Sequence, residues 1–255
     1  MSDLIIYEHP LNERIRTLLR LEHLFERIAF HMPRPETWSS RAAINGLLDI
    51  INILTRADIK SEVIKELERH SASLDRIRAA PGIDMQRLGS ILKELEINTA
   101  RLRQLNGQIG RNLRENDFLN GIMQRSGIPG GNCAFDLPHY HYWLRQPHDR
   151  RLEDLRRWFC ELEPLQMATR LLLTLTRDCA GATRVQASGG MFQHTLESQA
   201  PAQLIRVGLP RESGLFPEIS GGKHRFTIRF LEPEEIGRPA QTQQDVEFSL
   251  TCCIF

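Results

Sequence analysis

The chain has 255 residues, 41% of them hydrophobic, which is enough for one large domain or two smaller ones with a filled core. Its formal net charge of +1 excludes a strongly basic nucleic-acid-binding protein, although a local basic patch remains compatible with it. No stretch approaches the ~18 consecutive apolar residues of a membrane-spanning helix, so we expect no membrane partner.

The cysteines and the N-terminus indicate a cytoplasmic protein. No charged segment followed by an apolar run, the pattern of a signal peptide, opens the chain. Cys133, Cys160 and Cys179 stand singly, and Cys252 and Cys253 are adjacent, so the chain has no Cys-x-x-Cys motif. We therefore expect reduced thiols.

The first two thirds of the chain have helical periodicity. A short strand is expected at residues 3–8, and Pro10 is predicted to lie in the first turn of the first helix. Asp58 and Asp84 are good N-caps, and the two helices that they begin should pack as an antiparallel hairpin. The predicted helices cover about 10–28, 38–54, 58–79, 84–105, 113–124, 138–143, 149–162 and 164–178.

The composition changes near Cys179, where glycine-rich turns and alternating strands begin. The predicted strands cover 183–193, 203–209, 223–231 and 244–252. The sequence thus predicts an α+β fold, with an N-terminal multi-helix domain and a C-terminal antiparallel β-sheet domain. We expect the mainly helical domain to cover 1–178, and the mainly β domain to cover 179–255 and to pack on the helical half.

The strand predicted at 223–231 carries a row of cations. Its apolar side chains alternate onto one face: Phe226, Ile228 and Phe230. Arg225 and Arg229 take the opposite, exposed face on either side of Thr227, and Lys223 precedes them. Lys223, Arg225 and Arg229, here called the basic row, have no acid among them. Arginine binds carboxylates through forked hydrogen bonds, so the basic row suits an acidic peptide.

The stretch 126–144 combines turn residues with aromatic ones. Pro129, Gly130 and Gly131 interrupt regular structure. Four aromatic residues follow: Phe135, Tyr140, Tyr142 and Trp143. Two interpretations stay open, a packed corner between structural layers and a recognition surface rich in interface anchors.

No catalytic or metal-binding pattern is convincing. The sequence positions of Cys133, His139 and His141, even with Cys252 and Cys253, match no zinc motif. The pair Gly222-Lys223 fails as a phosphate loop, because Pro217 and His224 stand where the motif needs Gly and Ser or Thr. A nucleophile elbow and a dinucleotide fingerprint are also lacking. We expect no enzyme, no cofactor and no metal.

Binding is therefore the favoured class of function. The basic row, arginines on the helices and the aromatic stretch together suit capture of a short acidic or amphipathic peptide. Arg16, Arg20, His23 and Arg27 form a stripe on the first helix that is either a binding face or a solvated one. The alternative is a helical scaffold that binds another protein or nucleic acid through its basic face, with the basic row merely solvated.

Three motifs resemble those of the Z-ring-associated protein D (ZapD) family of bacterial division proteins. They are Tyr7-Glu-His-Pro-Leu-Asn-Glu-Arg, Ile128-Pro-Gly-Gly with Cys133, Phe135-Asp-Leu-Pro and Trp143-Leu, and Ile219-Ser-Gly-Gly-Lys-His-Arg-Phe-Thr-Ile-Arg-Phe. The motifs occur in the family's order and span nearly the whole chain.

The resemblance implies a cytoplasmic homodimer, recruited to the division site at mid-cell. Such a dimer binds the C-terminal tail of FtsZ, the tubulin-like GTPase of the division site, and cross-links and bundles its filaments. It implies neither a cofactor nor a nucleic-acid partner. The positions implied to bind the tail are Arg20, Arg56, Arg114, His141, Lys223, Arg225 and Arg229, and some of them are alternatively part of the dimer contact.

Overall fold

The computed structural model describes residues 3–78, 82–197, 202–222 and 224–254. The chain forms two compact units. The β unit combines Met1–Leu18 with Leu173–Phe255, and the helical unit is Leu19–Leu172. Helices followed by antiparallel sheets confirm the predicted α+β class. The predicted division into a mainly helical domain over 1–178 and a mainly β domain over 179–255 remains a prediction.

Helices make up the larger part of the fold. They are α1 (Glu13–His31), α2 (Thr37–Arg56), α3 (Ile59–Arg76), α4 (Met85–Gln104), α5 (Arg111–Arg114), α6 (Asp117–Arg125), α7 (Pro138–Leu144), α8 (His148–Cys160) and α9 (Glu163–Asp178). Within the ranges that the structure describes, none of these helices combines the length and the apolar character needed to cross a bilayer.

The α3–α4 hairpin was predicted correctly. Asp58 caps α3 by accepting a hydrogen bond from the Ser61 N–H, and Asp84 caps α4 in the same way. Lys60 at the start of α3 donates to the Leu105 carbonyl, beyond the end of α4, across 2.6 Å. The two helices therefore run antiparallel, because the beginning of one lies beside the end of the other.

The predicted helix over 113–124 is two helices in the structure, α5 and α6. The side chain of Asn116 accepts a hydrogen bond from the Leu119 N–H at 3.1 Å and so begins α6 as a new helix. The capping residue Asn116 thus divides a segment for which the spacing of apolar residues alone predicted one continuous helix.

Strands occupy both ends of the chain. They are β1 (Leu4–Pro10), β2 (Thr183–Ala187), β3 (Met191–Thr195), β4 (Ala202–Pro210), β5 (Phe216–Gly221), β6 (Arg225–Glu232), β7 (Ala240–Gln241) and β8 (Val246–Ile254). One antiparallel sheet has the order β1-β4-β8-β2, and the other has the order β3-β6-β5, with β7 also paired to β6. Apolar side chains of β4, β6 and β8 form the core of the β unit.

The predicted placement of Pro10 in a helix was wrong. Pro10 ends β1, where it lies opposite Leu204 of β4. An edge strand tolerates proline because a missing N–H there removes no necessary ladder bond. Helix α1 begins at Glu13, with the Asn12 side chain accepting from the Ile15 N–H at 2.9 Å.

The segment 183–193 is not the single strand predicted for it, because a tight turn joins two strands that belong to different sheets, β2 and β3. Its turn contains Gly189 and Gly190, both with positive φ. A Cβ on Gly190 would lie 2.2 Å from the Thr242 carbonyl oxygen, so no other residue fits this turn without displacing the backbone. Strand β5 was not predicted at all, because Pro217 and Gly221 interrupt any alternating pattern there.

Glu8 connects three elements of the β unit. Its carboxylate accepts two hydrogen bonds from the Arg177 guanidinium at the end of α9, at 2.9 and 2.8 Å. It also accepts one from Arg206, its register partner on β4, at 2.9 Å. The motif that begins at Tyr7 therefore has a structural role, because its single carboxylate pairs with two partly buried arginines.

Candidate functional site

Strand β6 has the two faces that its sequence predicted. Phe226, Ile228 and Phe230 are buried in the core of the β unit, whereas Arg225 and Arg229 are exposed. The inward side chains hold the strand in place, so the outward arginines project from a rigid sheet. Lys223, the remaining member of the basic row, lies outside the described residues.

The two exposed arginines differ in charge environment. Arg229 forms an ion pair with Glu218, which lies directly opposite it on β5. The basic row therefore has an acid beside it, contrary to the prediction, because the neighbouring strand supplies one. The side chain of Arg225 forms no hydrogen bond or ion pair with any described residue. Arg225 thus presents the more available positive charge.

A shallow polar cleft surrounds Arg225. Its volume is about 510 Å³. Thr227 lines the cleft between its two register partners, Gln193 on β3 and Ser220 on β5. The cleft is lined by Gln193, Ser220, Gly221, Gly222, His224, Arg225, Phe226 and Thr227. A cation among hydroxyl, amide and backbone groups can bind the carboxylate of an extended peptide.

Arg20 and Arg56 are exposed cations of the helical unit. Arg20 lies on α1, and Arg56 is the last residue of α2, where a positive charge is favourable at the helix C-terminus. Neither side chain forms a hydrogen bond or ion pair within the part of the chain that the structure describes. Two other members of the arginine stripe are neutralised, Arg16 by Glu13 and Arg27 by Asp49.

Arg114 lies in a polar cleft of the helical unit. Its guanidinium donates to the Gln108 side chain at 2.7 Å. The neighbouring Arg111 pairs with Glu115, and this hydrogen bond raises the pKa of Arg111. These residues line a cleft of about 390 Å³ together with Gly107. Arg114 is therefore held by a neutral partner and keeps its net charge available to an anion.

His141 lies on α7, half-buried, within the aromatic stretch. The neighbouring Tyr140 and Trp143 are buried, and Trp143 Nε1 donates to Asp154 Oδ2 at 2.9 Å. Phe118 packs against both of these rings, so α7 is fixed on the helical unit. The imidazole itself contacts no hydrogen-bond partner among the described residues.

The structure divides the aromatic stretch into buried and exposed residues, and the recognition surface remains a prediction. Tyr140 and Trp143 are packing residues, only 1% and 6% exposed. Phe135 and Tyr142 are 87% and 65% exposed, so they remain available for contact with a partner. The sequence alone could not distinguish the buried pair from the exposed pair, because all four are aromatic residues of the same short stretch.

The structure brings some of the implied site residues together. Arg225 and Arg229 share the exposed face of β6. The four members in the helical unit lie on α1, α2, α5 and α7, and no hydrogen bond or ion pair among described residues joins any two of them. Glu218 belongs to the same surface as Arg229 and was missed, because β5 was not predicted.

The structure gives no support to metal binding at the cysteines and histidines. Among the residues that the structure describes, no three His, Cys, Asp or Glu side chains are grouped so that they could hold a metal ion. The Cys133 thiol instead contacts Asp136 at 3.1 Å, and the His139 ring packs against Phe118.

Comparison with known proteins shows which family the chain is similar to. Residues 19–229 match the sequence model of ZapD, described as a cell division protein. The cell division protein ZapD of Methylococcus capsulatus (strain Bath) is 41% identical over 254 residues, and the alignment covers 100% of each chain. The matched range includes Arg20, Arg225 and Arg229.

Proposed function

The chain belongs to the ZapD family of cell division proteins, and from this premise we propose that it binds the C-terminal tail of FtsZ. In this proposal the protein is a cytoplasmic homodimer that cross-links and bundles FtsZ filaments at mid-cell. Its role is binding rather than catalysis. The observation that carries the proposal is the exposed side chain of Arg225, which pairs with none of the described residues and lies in a polar cleft on β6.

The geometry of β6 supports an extended acidic ligand. Arg225 and Arg229 lie four residues apart on one face, and residues of a strand that share a face repeat every second position. An extended peptide with carboxylates at matching spacing can therefore contact both arginines along one line. We assign Arg20, Arg56, Arg114, His141 and Lys223 to the same tail-binding function or to the dimer contact.

The energetics suit a weak site that is used several times. Exposed ion pairs contribute only about 0–1 kcal/mol each, so a few arginines bind a single tail weakly. A two-fold dimer would carry two such sites. A filament displays many tails, and once one tail is bound the second contact becomes intramolecular. Bundling then requires both protomers, although each site alone is weak.

Peptide binding tests the proposal directly. The probe is a fluorescently labelled C-terminal peptide of FtsZ, and anisotropy is measured at low and moderate salt. Saturable binding that weakens with added salt is expected. The double variant Arg225→Glu and Arg229→Glu should lose peptide binding and filament bundling while staying dimeric in sedimentation velocity.

A control variant tests whether the effect depends on where the charge is changed or only on the net charge. Arg184 lies exposed on β2, in the other sheet of the same unit. Arg184→Glu makes the same change of charge away from β6 and should leave binding unchanged. Equal losses in both variants would contradict a specific site, and a double variant that still bundles filaments would exclude β6.

The residues of the helical unit need two measurements. Alanine substitutions at Arg20, Arg56, Arg114 and His141 are compared in peptide binding and in dimer dissociation. A tail-binding residue weakens the first without changing the second, whereas a dimer residue loses the dimer at dilute protein concentrations. No change in either measurement would remove that residue from the assignment.

A further inference from the structure

The edge strands of the two sheets differ in how they are protected against pairing with another chain. Among the described strands of five residues or more, β1 and β2 lie at the edges of one sheet, and β3 and β5 lie at the edges of the other. Proline or a charged side chain on an edge strand hinders such pairing. Three of these strands carry such residues: Glu8 and Pro10 in β1, Arg184 in β2, and Pro217 and Glu218 in β5. Strand β3 contains no proline and no Asp, Glu, Lys or Arg.

The open side of β3 presents backbone groups of Gln193 and Thr195. Along a strand of an antiparallel pair, the N–H and C=O groups of successive residues point alternately toward the neighbouring strand and away from it. The Leu196 N–H donates to the carbonyl of His224, its partner in the β3–β6 register, at 2.8 Å. The even-numbered residues of β3 therefore bond to β6. Gln193 and Thr195 point to the other side, where no described backbone group bonds to them.

The side chains at this edge share a face with the exposed arginines of β6. Register partners direct their side chains to the same side of a sheet, so Thr195 stands beside Arg225, and Gln193 stands beside Thr227. Gln193 also lines the polar cleft that contains Arg225. The outward residues of β3, Met191, Gln193 and Thr195, are all exposed. The open edge and the guanidinium of Arg225 thus belong to one surface.

The charge beside β3 favours an acidic occupant. A strand added to β3 would lie two strand spacings from β6, roughly 10 Å, a distance that an arginine and a carboxylate side chain can bridge together. Arg225 pairs with no described residue and can extend across β3, whereas Arg229 pairs with Glu218 on the opposite side, toward β5. No acidic side chain of β3 competes for Arg225. The best position for a carboxylate is therefore opposite the Thr195 end of β3.

We propose that the FtsZ tail binds as an added strand along the open edge of β3, with carboxylate side chains directed to Arg225. This inference rests on the proposed tail binding and gives it a binding mode. Backbone hydrogen bonds to Gln193 and Thr195 supply affinity, and the arginines supply the preference for acidic side chains. The mode requires an extended ligand, whereas a purely electrostatic site accepts carboxylates in any conformation. The backbone N–H groups of the peptide therefore distinguish the two.

N-methylated peptides test the binding mode. Single N-methyl groups are placed at successive residues of the labelled tail peptide, and anisotropy with the full chain gives each affinity. An added strand directs every second N–H to β3, so methylation should weaken binding about three- to ten-fold at alternate residues and little at those between. Losses without this alternation would overturn strand addition and leave tail binding intact. An unmodified peptide that does not bind at all would contradict the proposed function itself.

Substitutions at Gln193 make the matched change in the protein. Gln193→Pro removes an N–H on the open side and leaves the bonds between β3 and β6 in place, so peptide affinity should fall at least about three-fold. Gln193→Ala keeps this N–H and should bind within about two-fold of wild type. Circular dichroism confirms that both variants are folded. Equal affinities would overturn the proposal. A Gln193→Pro variant that binds peptide normally but no longer dimerises would instead assign the edge to a second copy of the chain.

Hydrogen exchange followed by NMR examines the edge without any substitution. The N–H groups of Phe192 and His194 bond to β6, so they should exchange slowly with or without peptide. The N–H groups of Gln193 and Thr195 should exchange rapidly in the free protein and slowly at saturating tail peptide. Exchange at Gln193 and Thr195 that the bound peptide leaves unchanged would exclude β3 as the binding edge.

Discussion

Arg229 on β6 and Glu218 on β5 occupy paired register positions and form an ion pair on the exposed face of their sheet. Each side chain is 53% exposed, so the pair contributes little to stability but lowers the charge that Arg229 offers a ligand. Arg225, on the same face, has no such neighbour among the described residues. The two arginines should therefore contribute unequally to tail binding.

Removing the acid tests this inequality. Glu218→Gln should tighten binding of the labelled FtsZ tail peptide by up to about five-fold, because Arg229 no longer has a competing carboxylate and exposed pairs are worth up to about 1 kcal/mol. Anisotropy titration at low salt measures the change. Adding Arg229→Gln to the variant should remove the gain. A gain that persists in the double variant would show that Glu218 acts through general repulsion.

Glu8 should matter for stability. Glu8→Gln should lower the free energy of unfolding by about 1–3 kcal/mol, because it leaves two partly buried guanidinium groups without their carboxylate. Urea denaturation followed by circular dichroism measures the loss. Glu13→Gln is the control: Glu13 pairs with Arg16 at the surface and should change stability by less than about 0.5 kcal/mol. Similar losses in both variants would argue against a special role for Glu8.

Tyr140 should make stability depend on pH in alkaline solution. Burial raises its pKa to about 12, and its hydroxyl has no hydrogen-bond partner among the described residues. The unfolded tyrosine, with a pKa near 10, loses its proton first, so native stability should fall as pH rises from about 10 to 12. Tyr140→Phe should therefore be neutral or slightly stabilising at pH 7.

The comparison of wild type with Tyr140→Phe isolates this effect. In denaturant titrations above pH 10, the wild type should lose roughly 2 kcal/mol relative to the variant. Tyr142→Phe, at a 65% exposed neighbour, should follow the wild type. Parallel curves for wild type and Tyr140→Phe would mean that Tyr140 ionises as freely in the folded state as in the unfolded state.

The β2–β3 turn offers a pair of glycine substitutions. Gly189→Ala should cost about 1–2 kcal/mol of stability, because alanine is strained at the φ of +54° while its Cβ meets nothing closer than 4.0 Å. Gly190→Ala should cost clearly more, since its Cβ would lie 2.2 Å from the Thr242 carbonyl oxygen. Urea midpoints compare the two variants. Equal losses would mean that the backbone near Thr242 relaxes without cost.

Much of the fold could be predicted from residues close together in the sequence. Asp58 and Asp84 cap helices as expected, because capping joins a side chain to an N–H two or three residues later. The alternation around Ile228 placed Arg225 and Arg229 on the exposed face, since successive side chains of a strand point to opposite sides. Errors arose where a single polar or glycine residue redirects the chain, as at Asn116 and Gly190.

The sequence by itself determined the α+β class, the main helices, the exposed arginines of β6 and, through its motifs, the family. Only the tertiary structure decided which distant groups meet: Glu218 lies beside Arg229, and Arg177 bonds to Glu8, which is 169 positions away in the chain. Periodicity and capping depend on local backbone geometry, which neighbouring residues fix. Strand register and the docking of α9 depend on burial of a whole core, which no local pattern encodes.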